Sequence, residues 1–266
     1  MKNLFRIIIL GLFLINTLSC KKDSALKKDV VDPSIEIPKD EQKYGSVKVT
    51  FSNKVGNEDL LLNNGHYMNA NSDSFTVSKF KYYISNVVLK KSDGTSYVAR
   101  ESYHLIDSNK GNKYTIVLDS VPVGNYNAIN FILGVDSLRN TSGAQTGALD
   151  PSYGMFWSWN QGYIFLMMEG NSPNSAAFNN TLIFHLGGFT QPYNCIRKIN
   201  PTFGTSDLIS SDGKTSTVEI KTDLLKMFES PSLIKFVQTS EGMGGAVAYT
   251  IANNCVNMFS VTSIQN

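Results

Sequence analysis

Few residues of this chain are of a type that does chemistry. Its three histidines are His66, His104 and His185. His185 lies in Ile183-Phe184-His185-Leu186-Gly187-Gly188, a run that reads as a strand. A neutral imidazole nitrogen ligates copper or zinc well, and two glycines beside it let a neighbouring loop approach closely. A lone strand histidine is also commonly a hydrogen-bonded structural residue. His104 alternates with apolar neighbours in Tyr103-His104-Leu105-Ile106, which suits a structural role, and His66 follows Asn63-Asn64-Gly65 in a polar, solvated loop. Met155, Met167 and Met168 offer thioether sulfur, a soft donor suited to Cu(I). Met167-Met168 straddles the two faces of a strand, so at least one of the pair belongs to the core. Glu169 closes that apolar run. It is placed either to orient a ligand from behind or to sit solvated at a strand end.

Both tryptophans fall in one segment, Tyr153-Gly154-Met155-Phe156-Trp157-Ser158-Trp159-Asn160. At a two-residue spacing Trp157 and Trp159 share one face of an extended chain. That serves a core layer, a platform on which they stack sugar rings together with Tyr153 and Tyr163, or one wall of a metal site. The segment ends a long irregular stretch, Asp136–Gln161, which is expected to fold onto the body and line a site. Enzymatic constellations are absent: no Gly-rich phosphate loop, no G-x-S-x-G, HExxH, CxxC or DxDxDG. The chain is expected not to be an enzyme, and Asp93-Gly94 and Asp212-Gly213 read as hairpin turns.

The elements that must position these side chains read as strands. Alternation marks Ser46–Phe51, Phe75–Leu89, Tyr97–Ala99, Tyr103–Ile106, Lys113–Leu118, Asn127–Val135, Tyr163–Met168, Thr181–Leu186, Ser216–Lys221, Ile234–Val237 and Met258–Ile264. β-branched and aromatic residues dominate these runs. One short helix is expected around Asp223–Glu229, where Leu224, Leu225 and Phe228 fall at helical spacing. The expected fold is all-β, an antiparallel β-sandwich of Greek-key or immunoglobulin-like kind with long loops. With 266 residues, 42% of them hydrophobic, the chain can bury a sizeable core. Twenty-four basic against 22 acidic residues exclude a strongly basic nucleic-acid binder. Three cysteines exclude a disulfide-stapled miniprotein.

Residues 1–19 carry Lys2 and Arg6 ahead of a short apolar run and read as a secretory signal. The run ends at Thr17-Leu18-Ser19-Cys20, which looks like a relaxed bacterial lipobox, so Cys20 is the expected lipidation site. Residues 20–44 mix lysines, acids, Pro33 and Pro38 and read as a charged tether. Lys21-Lys22-Asp23 resembles the export signals of surface lipoproteins. The expected product is a globular domain over 45–266, lipid-anchored to the outer membrane on its periplasmic or cell-surface side. Cys195 and Cys255 then remain, free to pair as a disulfide or to stay as two buried thiols.

Several strings resemble one family. Gly134-Val135-Asp136-Ser137, Gly147-Ala148-Leu149-Asp150-Pro151, Gly154-Met155-Phe156-Trp157-Ser158-Trp159-Asn160-Gln161-Gly162-Tyr163 and Glu169-Gly170 are similar to the MbnP-like copper-binding domain. So are Phe184-His185-Leu186-Gly187-Gly188, the opening Phe80–Val87 with Gly124-Asn125-Tyr126, and the closing Asn253–Phe259. The resemblance covers roughly Gly45 to the C-terminus, and its tryptophan motif is the specific part. It implies an extracytoplasmic β-sandwich that handles copper as Cu(I). It also implies imidazole ligands, a tryptophan oxidised to kynurenine, and a dihaem peroxidase-type partner that performs the oxidation. On this chain His185 matches the family histidine, and Trp157 or Trp159 the modified residue. Where the copper-binding relatives carry a histidine two residues from that tryptophan, this chain has the second tryptophan. A further donor would come from His66, His104, Met155, Met167 or Met168. The alternative is a glycan-binding or structural surface lipoprotein built on the Trp/Tyr cluster.

Overall fold

Seventeen strands carry the fold among the described residues, and the first of them shows why they form. β1 (Tyr44–Val55) buries every second residue, Val47, Val49, Phe51, Asn53 and Val55, while Lys48, Thr50 and Lys54 face outward. That alternation is the two-residue period of a pleated strand with one wet face. The computed structural model describes residues 41–143, 145–157 and 162–266. The expected signal, Cys20 and nearly all of the tether lie outside these, as does Trp159. Residues 42–266 form one unit. Its first strand begins at Tyr44, so the last residue expected of the tether belongs to the fold.

After β1 come β2 (Glu58–Asp59), β3 (Tyr67–Met68), β4 (Ser74–Lys90), β5 (Ser96–Val98), β6 (Tyr103–Asp107), β7 (Lys113–Pro122), β8 (Gly124–Tyr126) and β9 (Ala128–Leu133). Helix α1 (Ser137–Thr141) opens the long irregular stretch, which ends in β10 (Phe156–Trp157). Then follow β11 (Gly162–Asn171), β12 (Thr181–Gly187), β13 (Arg197–Ile199), β14 (Leu208–Ser210) and β15 (Thr215–Asp223). The chain closes with β16 (Glu241–Met243), helix α2 (Gly245–Cys255) and β17 (Phe259–Gln265).

The smaller main sheet runs β17-β15-β1, with β7 and β2 also on β1. The larger runs β13-β9-β4-β11-β12-β16, with β3, β5 and β6 on β4 and β10 on β11. Aromatic side chains from both sheets meet in the core: Phe51 of β1 packs edge-on against Phe131 of β9, ring centroids 5.5 Å apart. Tyr82 of β4 is fully buried, and its hydroxyl donates to Asn53 Oδ1 of β1 at 2.8 Å and pairs with Thr222 Oγ1 of β15 at 2.9 Å. Burial pushes the Tyr82 hydroxyl far above the ordinary tyrosine range, so it stays a neutral donor.

Three expectations are corrected. The sheets are mixed rather than purely antiparallel. β1 pairs in parallel with β15 and β12 in parallel with β16, because each pair is joined through a long intervening excursion rather than a hairpin. The expected strand at Ile234–Val237 is a turn: the Phe236 amide donates to Asp73 Oδ2 at 3.1 Å, and the Gln238 and Thr239 amides return to the Lys235 carbonyl. Ile234 and Phe236 are buried for a different reason, Phe236 packing against Phe75 and Phe228, while Val237 is exposed. The short helix expected at Asp223–Glu229 is a 3-10 turn, Leu224–Phe228, capped by the Asp223 carboxylate. Beside it stands α2, which the sequence reading passed over.

Candidate functional site

The outer face of the larger sheet carries the site. Alternation along β12 turns Leu182, Phe184 and Leu186 into the core and leaves His185 on the other face. On β11, Met168 pairs with Phe184 and is fully buried in the core. Met167 pairs with His185 on the outer face. The register continues on both sides. Met167 is opposite Lys81, Lys81 opposite Asp107, and His185 opposite Met243. One row, Asp107–Lys81–Met167–His185–Met243, therefore crosses β6, β4, β11, β12 and β16.

Glu169, two residues along β11, holds the imidazole. Its Oε1 accepts from His185 Nε2 at 3.0 Å, and its Oε2 from Lys79 Nζ at 2.8 Å. Burial opposes ionisation of Glu169, but the bonds from Lys79 and His185 outweigh it and keep the carboxyl below its ordinary range. With the Nε2 hydrogen committed to a carboxylate, the neutral ring keeps its lone pair on Nδ1. The His185 side chain is 14% exposed.

The long stretch after Asp136 folds onto this same face, as expected of it. Asp136 starts it: Oδ1 accepts from the Arg139 amide at 3.2 Å and caps α1, while Oδ2 accepts from the Tyr103 hydroxyl and from Asn86 Nδ2. Tyr83 donates to the Ala148 carbonyl at 3.1 Å and Tyr163 to the Leu149 carbonyl at 2.8 Å. These bonds pin the stretch down. It then delivers Trp157, 5% exposed, onto Gly187. A β-carbon at Gly187 would stand 2.6 Å from Trp157 Cζ3, 2.8 Å from its Cη2 and 2.7 Å from the Tyr163 carbonyl oxygen. Only glycine fits there, and the indole lies on the face that His185 occupies two residues earlier. The tip of the same ring reaches toward Gly244, the residue after Met243, whose amide donates to the His185 carbonyl at 3.3 Å. A small cleft of about 170 Å³ borders the indole's seat, sharing Gly187 and Gly244 with it.

Other residues singled out from the sequence lie elsewhere. His104 pairs with Ile84, one residue out of phase with the Lys81 row, so it projects from the opposite face. Burial lowers its basicity. It lines a surface cavity of about 770 Å³, to which β10, β11, β12 and β16 contribute nothing. His66 is exposed beside Thr76 and Asn171, four residues beyond Met167 on β11. Met155 is fully buried. Cys195 and Cys255 are two free, buried thiols, and burial pushes Cys195 up to about 11 and Cys255 higher. Trp157 and fully buried Tyr163 present no open ring for a sugar, whereas Tyr153 is 38% exposed with Lys110 over its ring. Among the described residues no group of three or more His, Cys, Asp and Glu is placed to hold a metal ion. The residue missed from sequence is Met243. Its signal is local, a lone methionine between Gly242 and Gly244-Gly245, but nothing in the sequence ties it to His185.

The family model MbnP matches residues 44–248, most of the described fold. The chain belongs to the MbnP family. Among solved structures it is similar to MbnP from Methylosinus trichosporium, at 14% identity and a TM-score of 0.46, over 77% of this chain and 82% of that one. No curated protein matches the chain. The matched span of this MbnP-family chain includes β10, β11, β12 and β16, so every residue of the row and its flanking indole falls within it.

Proposed function

We propose that this MbnP-family protein binds copper as Cu(I) at His185, outside the cytoplasm, and is held to the outer membrane by a lipid on Cys20. The observation that carries the reading is the pairing of a carboxylate-held imidazole with an indole seated over Gly187 on the same sheet face. Copper supplies the soft electrophilic centre, and His185 Nδ1 is the nitrogen free to hold it. Glu169 fixes the ring and its tautomer, an arrangement that strengthens metal-bound histidines. Trp157 walls the site from water. Trp157 or Trp159 is the residue that a dihaem peroxidase-type partner would oxidise. The role is binding, not catalysis. Sugar stacking is the weaker reading, because Trp157 and Tyr163 are both buried.

The test is anaerobic Cu(I) titration of the protein against a chromophoric competitor, with His185→Ala alongside. One tightly held Cu(I) per chain, lost in the variant while its thermal melt is retained, is expected. Equal uptake by His185→Ala refutes the assignment. For the anchor, Cys20→Ser should move the protein from the membrane fraction to the soluble one, and an unchanged distribution refutes lipidation there. A kynurenine-sized mass shift on the peptide holding Trp157 and Trp159, in cells that contain the oxidising partner, tests the modification.

A further inference from the structure

A second cleft stands apart from His185 and does not depend on copper. We infer that the end of the larger sheet where the chain around β3 meets the β11–β12 connection binds a neutral oligosaccharide. Phe178 is its stacking ring, and the carboxamides of Asn171, Asn179 and Asn180 meet the sugar hydroxyls. A cleft of about 450 Å³ opens there, lined by His66, Ser74, Thr76 and the three asparagines, with Phe75 and Pro173 behind them. Small-ligand sites occupy roughly 300–1,000 Å³. Asn171 is four residues past Met167 on β11, about 13 Å at the rise of a strand.

The chemistry of this cleft is uncharged. Residues 171–181 contain no Lys, Arg, Asp or Glu. In the facing stretch, residues 60–76, the one such residue is Asp73. It is buried, and its Oδ2 accepts from Asn69 Nδ2, Asn71 Nδ2 and the Phe236 amide. A phosphate or carboxylate would find no Lys or Arg in either stretch. The lining offers hydroxyls and carboxamides instead, groups that both donate and accept, as neighbouring sugar hydroxyls require. Asn171 and Asn180 donate through Nδ2 to the Asn179 and Ser175 carbonyls at 3.1 and 3.2 Å, which leaves each Oδ1 to accept. Among the described residues the Asn179 side chain makes no hydrogen bond, so its whole carboxamide is available.

Phe178 supplies the apolar half. It is 86% exposed and stands between two clefts. Asn179 follows it into the first, and Ala177 precedes it in another of about 330 Å³ bordered by Gln238, Thr239 and Ser240. A lone exposed aromatic residue is ordinary. An open ring flanked on both sides by hydroxyls and amides matches a sugar, which presents C–H groups on one face and hydroxyls around its rim. The loop is also held in advance. The Ser172 amide donates to the Asn180 carbonyl at 2.9 Å, and the Ser175 hydroxyl to the Thr181 carbonyl at 2.7 Å. Binding therefore orders little that is not already ordered.

The experiment titrates the full chain in detergent, by isothermal calorimetry, with maltohexaose, cellohexaose, laminarihexaose, mannohexaose and chitohexaose, and with hexagalacturonate as the charged control. The panel is wild type, Phe178→Ala, Asn179→Gly, Tyr153→Ala and His185→Ala. Phe178 is too exposed for its loss to unfold the domain. Glycine keeps the left-handed backbone of Asn179, φ 54°, while removing its carboxamide. Expected is binding of at least one neutral hexasaccharide, weaker by at least about tenfold in Phe178→Ala and in Asn179→Gly, with wild-type melting. Tyr153→Ala and His185→Ala should bind it as wild type, so this site and the copper reading fail separately. Binding of none of the five overturns the inference, as does a preference for hexagalacturonate. Binding kept in Phe178→Ala but lost in Tyr153→Ala overturns it as well.

Discussion

Replacing Gly187 with alanine tests the placement of Trp157 most directly. The added methyl would lie 2.6 and 2.8 Å from two indole carbons and 2.7 Å from the Tyr163 carbonyl oxygen. Carbon atoms in contact normally sit about 3.5–4.0 Å apart, so the ring must retreat by roughly 1 Å. The carbonyl belongs to β11 and cannot follow without disturbing the sheet. Overpacking of this kind costs about 1–3 kcal/mol, and two independent clashes, one of them with backbone, put Gly187→Ala at about 2–3 kcal/mol. In a domain of this size each kcal/mol moves the melting point by about 2–4 °C, so a drop of about 4–12 °C is expected. The assay is a far-ultraviolet circular dichroism melt, paired with tryptophan emission in a Trp159→Phe background so that Trp157 alone reports. Displacement of a 5% exposed indole should shift its emission to the red. A melting point within about 1 °C of the parent, with unchanged emission, would refute the seating of Trp157 over Gly187.

Two further expectations concern the scaffold. Tyr82→Phe leaves buried Asn53 without its 2.8 Å donor and should cost about 1–3 kcal/mol in urea unfolding. An unchanged midpoint would show that the hydroxyl does not tie the two sheets. Asp136→Asn should cost about 1–2 kcal/mol near neutral pH, through the α1 cap and the Tyr103 bond. Burial opposes ionisation of Asp136, but bonds from Tyr103, Asn86 and the α1 amides hold its carboxyl below the ordinary aspartate range. Its contribution is therefore present above about pH 3.9 and is lost as pH falls through the lowered folded value. The gap between Asp136→Asn and parent melts should close in that acid range, and a gap independent of pH would be the contrary result.

Most of the strands were legible because their residues alternate. β1, β7, β9, β12 and β15 each bury alternate residues, a two-residue period written into the chain itself, whereas β11 and the middle of β4 are buried on both faces and read as continuous apolar runs. Helix α2 was not, although Ala248, Ile251, Ala252 and Cys255 are buried at helical spacing. Its N-terminus is Gly244 with no side-chain cap, so the start signal of Ser, Thr, Asp or Asn is missing. Ile234–Val237 had strand composition but spends the Phe236 amide on Asp73, a partner 163 residues away that no local pattern announces. The site divides in the same way. His185 and its opposite-face neighbours follow from alternation, and the contribution of Trp157 followed from resemblance. Its neighbour Met243 depends on β12 and β16 lying side by side in parallel, which is a fact of topology.

The opening strand has a consequence for how the chain reaches its native state. β1 lies in the middle of its sheet, and its parallel partner is β15, with Ser46 and Thr215 bonded across a sequence separation of 169. A chain emerging N-terminus first exposes the apolar face of β1 long before that partner exists, with only β7 and the short β2 paired to it. Loop closure over such a span must precede any gain from the ladder, which places assembly among the slow, milliseconds-to-seconds topologies. A chain of this design passes through an interval in which an unfinished sheet edge is open to neighbours, and a holding chaperone would be most useful then.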